Sequence, residues 1–324
     1  MRLDSEKLSD KKVLVTGAAG FIGSHITDEL IKADVHVIGI DNLYHGLLNN
    51  LENAFKSSKF TFFQSDIRDS AFLIEICRDI DLIYHEAAFT SAKQSVIMPR
   101  LCNDINVNGT INVLNAARIN DVNQVIYAST AALYADDSEL PKQEGMLPKP
   151  KTPYGVSKHA AEEYMISFNE IYGLNTTALR YFNVYGLRQR ETDYGGVMSI
   201  FLNKIFKGDK ELTIYGDGTQ TRDFIYIKDI VKANLMVAYH PKSIGKVFNV
   251  ATNNPVDINY LTDLIVRFSN MPNIEIQYAP KRGTDILHSY ADISKIKKEI
   301  GFEPDYSIDQ GIPEYISQFK NLTK

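Results

Sequence analysis

This chain of 324 residues predicts an α/β fold with a doubly wound parallel sheet, and three observations carry that expectation. Short apolar runs alternate with longer amphipathic stretches from Lys12 to about Leu179, the pattern of strands buried on both faces beneath helices. A glycine triplet, Gly17-x-x-Gly20-x-x-Gly23, follows the first apolar run directly. A carboxylate, Asp41, ends the second run 18 residues after Gly23.

Taken in order, Val13-Leu14-Val15 reads as the first strand and Phe21 to Lys32 as the helix behind it. Val35 to Ile40, Phe60 to Phe63, Leu82-Ile83-Tyr84, Val125-Ile126-Tyr127 and Thr176 to Leu179 read as further buried strands. Leu101 to Ile119 and Tyr154 to Tyr172 carry the helical period. After Arg180 the rhythm loosens, with Gly186, Gly195-Gly196, Gly208, Gly216 and Gly218 among short elements. Regularity returns from Phe224 to Tyr239, a short strand and a helix, and at Val247 to Val250, another buried strand. The expected division is therefore a Rossmann-like nucleotide-binding domain over 1–180 plus 223–251. A smaller, discontinuous substrate-binding lobe takes 181–222 plus 252–324. One connection, Asp136 to Pro153, holds four prolines and no apolar period. It lies between a strand end and a helix, where α/β folds place ligands, and long irregular connections are more often functional than accidental.

Composition narrows the function. A formal net charge of −5 without a basic stripe argues against nucleic-acid binding. No signal-peptide pattern and no bilayer-length apolar run is visible, so no membrane role is expected. Two cysteines, Cys77 and Cys102, do not make a disulfide framework, and a cytoplasmic, reducing setting is the expectation. The seven histidines lack ligand spacing, so no metal is expected, and the chemistry falls to an organic cofactor.

The glycine triplet supplies each feature a dinucleotide needs. Gly17 permits the tight turn, Gly20 lets backbone approach the pyrophosphate, and Gly23 lets helix and strand pack closely. The helix N-terminus, beginning at Phe21 and Ile22, favours the anion. Asp41, with Asn42 beside it, stands at the spacing for a carboxylate on the adenosine ribose. It would repel a 2′-phosphate, which points to NAD rather than NADP. Asp66-Ile67 either meets the adenine ring or caps the following helix. Ala87 and Ala88 either let the cofactor pass or simply pack.

A second pattern adds chemistry. Tyr154 and Lys158 stand at i and i+4 on one helix face. A free phenol titrates near pH 10, and a neighbouring ammonium lowers that value, making a usable base. Ser129-Thr130 ends the fifth strand, where the Thr130 hydroxyl holds a substrate oxygen and relays a proton to Tyr154. The alternative for Thr130 is a turn residue bonded to local backbone.

These residues together resemble the extended short-chain dehydrogenase/reductase family, in particular its nucleotide-sugar 4-epimerases. The resemblance runs through Val15 to Ser24, Asp41-Asn42-Leu43, Asn106-Val107-Asn108-Gly109-Thr110 and Tyr154-Gly155-x-x-Lys158. Arg180-Tyr181-Phe182-Asn183-Val184-Tyr185-Gly186, Thr221 to Tyr226 and Arg282-Gly283-Thr284-Asp285-Ile286 continue it. It implies that Asn106 and Tyr181 lie on the cofactor side. Asn183, Val197, Asp285 and Ser289 face the substrate, Arg222 and Arg282 neutralise its diphosphate, and Tyr215 packs on a uracil or else in the core. It also implies a homodimer through the helices Leu101 to Ile119 and Tyr154 to Tyr172.

The implied reaction oxidises C4 of a UDP-sugar, turns the 4-keto sugar over, and re-reduces it on the other face. Related dehydratases carry Asp-Glu after the catalytic threonine, and related decarboxylases a glutamate in that region. Here Ala131 and Ala132 stand there and cannot serve as acid or base, which favours plain epimerisation. Leu187, where many relatives have proline, and Ala135, where glycine is usual, are departures that touch loop shape only. Ser289 matches a position held by tyrosine in strict glucose/galactose epimerases, so the expected substrates include UDP-N-acetylglucosamine and its galacto epimer. A UDP-glucuronate 4-epimerase, a dehydratase or decarboxylase of the same family, and a non-catalytic NAD-binding scaffold are the competing readings.

Overall fold

The structure, a computed structural model, describes residues 11–134, 139–190, 196–271, 273–281 and 286–322. The first half alternates as β1 (Lys12–Thr16), α1 (Phe21–Lys32), β2 (His36–Asp41), β3 (Phe60–Gln64), α2 (Ser70–Ile76) and β4 (Leu82–His85). It continues through α3 (Ala92–Ile97), α4 (Pro99–Asn103), α5 (Gly109–Ile119), β5 (Gln124–Thr130), α6 (Pro153–Tyr172) and β6 (Thr176–Tyr181). Alternation along β1 sends Val13 and Val15 into one apolar core and Leu14 into the other. That is what a strand covered by helices on both faces requires.

Beyond β6 come β7 (Asn183–Tyr185), α7 (Val197–Phe206), β8 (Glu211–Tyr215), β9 (Thr221–Arg222), β10 (Phe224–Tyr226) and α8 (Ile227–Val237). The chain ends with β11 (Lys246–Val250), β12 (Val256–Asp257), α9 (Ile258–Ser269), β13 (Glu275–Ala279), β14 (His288–Ser289), α10 (Ser294–Ile300) and α11 (Ile308–Leu322). Seven strands form one parallel sheet in the order β11-β6-β5-β4-β1-β2-β3. The order reverses between β1 and β4, the place where a doubly wound sheet opens a crevice at its carboxyl edge. Three small pairings lie outside the sheet: β7 with β10, β8 with β13, and β9 between β12 and β14. No described helix is long and apolar enough to cross a membrane.

The stretch expected as one helix, Leu101 to Ile119, is helical with a π-helical turn, Asp104–Asn108, between α4 and α5. Gly109 after it is packed so closely that a Cβ would lie 2.5 Å from Ile67 Cδ1. Helix α6 begins where its sequence says it should. Thr152 accepts the Gly155 N–H at 3.2 Å, Pro153 fills the first turn, and Gly173 ends the helix in the left-handed conformation.

Candidate active site

The first turn of the sheet makes a cradle. Gly17 has φ of 68°, and a Cβ there would lie 2.7 Å from the Ala87 nitrogen. At Gly23 a Cβ would meet Gly17 O at 2.3 Å. Gly20 donates its N–H to Gly17 O at 3.0 Å and caps α1 without a side chain. The first amides of α1 are therefore left for an anion. A cavity of about 330 Å³ opens over this turn. Gly17, Gly20, Phe21, Ile22 and Gly23 form its floor, and Ala87 and Ala88 one wall.

At the far end of the cavity lie Asp41, Asn42, Asp66 and Ile67. Asp41 is buried at the end of β2, its Oδ2 accepting from Ala19 N–H at 3.0 Å and its Oδ1 from Leu43 N–H at 2.8 Å. Burial raises its pKa, against the pull of those two bonds. Asp66 lines the cavity and does not cap the following helix. It accepts from Asn42 Nδ2 at 2.8 Å and is gripped by the Arg68 guanidinium, which holds its carboxyl well below the usual range. The cap of α2 is instead Asp69, accepting from Phe72 N–H. The glycine cradle and the carboxylate at the β2 end suit a dinucleotide with a free ribose.

Thr130 ends β5, and Tyr154 and Lys158 occupy the first turns of α6. The Tyr154 N–H donates to Ser95 Oγ at 3.0 Å, fixing the helix start against α3. The Thr130 hydroxyl is the group that favours the Tyr154 phenolate, and Thr130 Oγ1 accepts from Ala132 N–H at 3.2 Å. That backbone bond is the second of the two expected readings of Thr130. Ser129, alternating to the other side of the strand, donates to Glu162 Oε2 at 2.5 Å.

One electrostatic expectation fails in this structure. Lys158 was expected to lower the Tyr154 pKa, yet burial raises it, and only the Thr130 hydrogen bond opposes the rise. The cause lies in Lys158 itself, which is 3% exposed with its Nζ 4.1 Å from the centroid of the Tyr127 ring. Burial pushes its pKa down to about 7, against the opposing pull of Glu86, then Glu162 and Cys102. An amine that has shed its proton by the pH at which a phenol titrates lends it no charge.

On the buried face of α6, Glu162 is fully buried and paired with Arg180 of β6, Nη2 to Oε1 at 2.6 Å. Arg180 Nη1 reaches the Tyr134 hydroxyl at 2.5 Å, and Tyr134 donates to Asn249 Oδ1 at 2.7 Å. Asn106 and Tyr181, expected on the cofactor side, lie behind the cavity wall. Asn106 is 1% exposed, accepting from Phe89 N–H at 2.7 Å and donating to Ser157 Oγ at 2.9 Å. Tyr181 is buried, and its hydroxyl donates to Glu86 Oε1 at 3.0 Å. Both thus position the wall rather than form it.

Among the residues expected to face the substrate, Asn183 Nδ2 donates to Asp223 O at 3.0 Å, and Val197 opens α7. The parallel pairing of β14 with β9 sets Ser289 opposite Arg222, whose guanidinium donates to Leu287 O at 3.3 Å. Tyr215 is 39% exposed at the mouth of a second cavity of about 200 Å³, with Gly216, Gln220 and Leu287. It is therefore not a core aromatic. Arg282 and Asp285 lie outside the described residues.

Several cavity residues escaped the sequence reading. Glu86, Arg188, Gln189 and Arg190 all line the first cavity. Arg188 is paired with Asp28 of α1 at 2.7 Å, and Arg190 donates to His45 O at 3.0 Å. Glu86 stands directly before the alanines already singled out, so a carboxylate at a strand's carboxyl end was the available signal. The arginines follow the Tyr185-Gly186 motif, but nothing in their spacing ties them to a turn some 170 residues earlier.

Comparison with known proteins agrees with this geometry. Residues 13–251 match the family described as NAD dependent epimerase/dehydratase. The chain is 39% identical over 311 residues to a putative UDP-glucose 4-epimerase of Methanocaldococcus jannaschii, covering 95% of this chain and 98% of the relative. It superposes with a TM-score of 0.91 on the UDP-N-acetylglucosamine 4-epimerase of Methanobrevibacter ruminantium solved with UDP-N-acetylmuramic acid, at 38% identity over 96% of this chain and 99% of that one. The score is also 0.91 against the UDP-glucose 4-epimerase of Thermotoga maritima solved with UDP-glucose, at 33% identity over 97% and 100%. With a glycine cradle, a threonine–tyrosine–lysine site and these matches over nearly its whole length, the chain belongs to the NAD dependent epimerase/dehydratase family, as an NAD-dependent nucleotide-sugar epimerase of the extended short-chain dehydrogenase/reductase type.

Proposed function

We propose that this chain inverts C4 of UDP-hexoses, taking UDP-N-acetylglucosamine and its galacto epimer as well as the non-acetylated pair. The observation that carries the reading is Thr130 at the end of β5 and Tyr154 in the first turn of α6, with Ala131 and Ala132 following the threonine, a proton-transfer site without a second acid. Gly17, Gly20, Phe21, Ile22 and Gly23 hold the cofactor pyrophosphate, and Asp41 with Asn42 the adenosine ribose. When bound, NAD supplies the hydride acceptor and, oxidised, a positive charge. Tyr154 Oη takes the proton of the sugar O4 and later returns it, with Thr130 orienting that oxygen and Lys158 orienting the nicotinamide ribose. Asn183, Arg222 and Arg282 hold the diphosphate while the sugar turns over, Asp285 faces the substrate, and Tyr215 packs on the base. Ser289, opposite Arg222 in the register, leaves room for an acetamido group.

The domain boundaries belong to the same reading: 1–180 plus 223–251 bind NAD, and 181–222 plus 252–324 bind the sugar nucleotide. So does a homodimer. Val156, Tyr164 and Ile171 of α6 are exposed, as are Val96 and Ile97 of α3, and a second copy would cover them. Cys77 and Cys102 are both unpaired and buried, in keeping with a reducing cytoplasm.

Purified protein is incubated separately with UDP-N-acetylglucosamine, UDP-glucose and UDP-glucuronate, and products are resolved by NMR. Galacto products from the first two without net loss of NAD are expected. Turnover of UDP-glucuronate alone would replace this substrate with the uronate.

A further inference from the structure

We infer that Asp223 is a positioning residue for the nucleotide-sugar site: its buried carboxylate and its own peptide groups hold Asn183, Arg222 and Ser289 in place before any ligand arrives. The inference rests on the reading of those three residues as facing the substrate.

The three positions meet at this residue. Asp223 is 0% exposed and joins β9 to β10, between Arg222 and Phe224. Its N–H donates to Ser289 O at 3.0 Å, continuing the parallel register that sets Ser289 opposite Arg222. Its carbonyl accepts twice from Asn183, from the backbone N–H at 3.1 Å and from Nδ2 at 3.0 Å. The main chain of Asp223 is therefore hydrogen-bonded to two of the three positions and peptide-bonded to the third, Arg222.

The side chain fixes that main chain to the rest of the fold. Oδ1 accepts from the Thr252 N–H at 2.8 Å and from the Thr252 hydroxyl at 2.5 Å. Oδ2 accepts from the Asn253 N–H at 2.9 Å and from the Ala291 N–H at 3.4 Å. Thr252 and Asn253 follow β11, the edge strand of the central sheet, and Ala291 follows β14. Asn253 turns the chain there with φ of 57°, a left-handed conformation that asparagine adopts more readily than most residues. The carboxylate thus ties the β9–β10 junction to the sheet on one side and to the Ser289 strand on the other. An amide could not replace it, because an amide has one acceptor oxygen and would turn an NH2 towards N–H donors. Buried and engaged on both oxygens, the carboxylate acts through the residues it holds and not on the substrate.

The test measures UDP binding to the NAD-loaded protein by calorimetry, with NAD content measured alongside. Asp223→Asn is expected to raise the UDP dissociation constant about tenfold, the scale of one lost charge-assisted hydrogen bond, while NAD is retained. KM for the UDP-sugar should rise by more than kcat falls, as when binding to ground and transition states is lost together. Thr252→Val removes the hydroxyl donor alone and should weaken UDP binding by less, whereas Thr252→Ser keeps the donor and should bind as wild type does. Leu264→Ala, in the buried face of α9, lowers the melting temperature without removing any of these bonds. UDP affinity unmoved in Asp223→Asn, or lost equally in Leu264→Ala at a matched fall in melting temperature, would overturn the proposal. Should Asp223→Asn not fold, the Thr252 pair decides, and equal UDP affinity in Thr252→Val and Thr252→Ser would overturn it. A wild type that binds no UDP would defeat the underlying reading as well. UDP binding without turnover of any UDP-sugar would defeat only the choice of reaction, and the shift in Asp223→Asn would still support the positioning role.

Discussion

At Tyr154, burial and hydrogen bonding pull in opposite directions, and burial wins. The phenol is therefore a proton holder until charge is brought near it. Tyr154→Phe is expected to lower kcat by about 10²–10⁴-fold with little change in KM or melting temperature, read by NMR turnover and circular dichroism. Ser289→Tyr is expected to abolish turnover of acetylated UDP-sugars while sparing UDP-glucose; equal loss on both would remove Ser289 from the account of specificity. These residues were legible because spacing exposes them: Tyr154 and Lys158 at i and i+4, Thr130 at a strand end, Gly17 to Gly23 in a turn. Glu86 was not, since one carboxylate among small residues has no period, and its place in the cavity beside Tyr181 comes from the fold.

Between elements, the tie that matters most for the site is Glu162–Arg180, which fastens α6 to β6 at its third turn. Both side chains are buried, so removing one strands the other. Glu162→Gln is expected to cost about 3–5 kcal/mol in urea unfolding. Glu162→Met with Arg180→Met should lose less than the single change, because no charge is left unpaired. The long strands and helices of the first half were readable from period alone. The π-helical turn at Asp104–Asn108 was not, because the wider turn does not change the residue pattern. Strands β9, β12 and β14 have two residues each, too few to show alternation, and they exist only through pairing with distant partners.

Over the whole molecule, buried histidines make stability depend on acid. His25 donates its Nε2–H to Leu187 O at 3.0 Å, and burial holds its pKa down to about 4. In the unfolded chain the ring takes a proton near 6.5, so the stability it contributes is complete above that value and falls as pH drops toward 4. Asp229, raised by burial to about 6, acts in the opposite sense over part of that window. The test is therefore a difference: relative to wild type, the melting temperature of His25→Gln should rise as pH is lowered from 7 to 5. A constant offset would show that His25 does not carry the effect.

The sheet order has a consequence for synthesis. Strand β6 is hydrogen-bonded on one side to β5 and on the other to β11, which lies about 65 residues further on. At about 5–20 residues per second, a growing chain holds β6 as an open, apolar edge for about 3–13 s before its neighbour has been made. The glycine cradle and most of the cavity lining are already made by then. A nascent chain paused in that interval is one that can take up its nucleotide and can also pair its bare edge with another chain, so the closing strand guards against aggregation long after the cradle is complete.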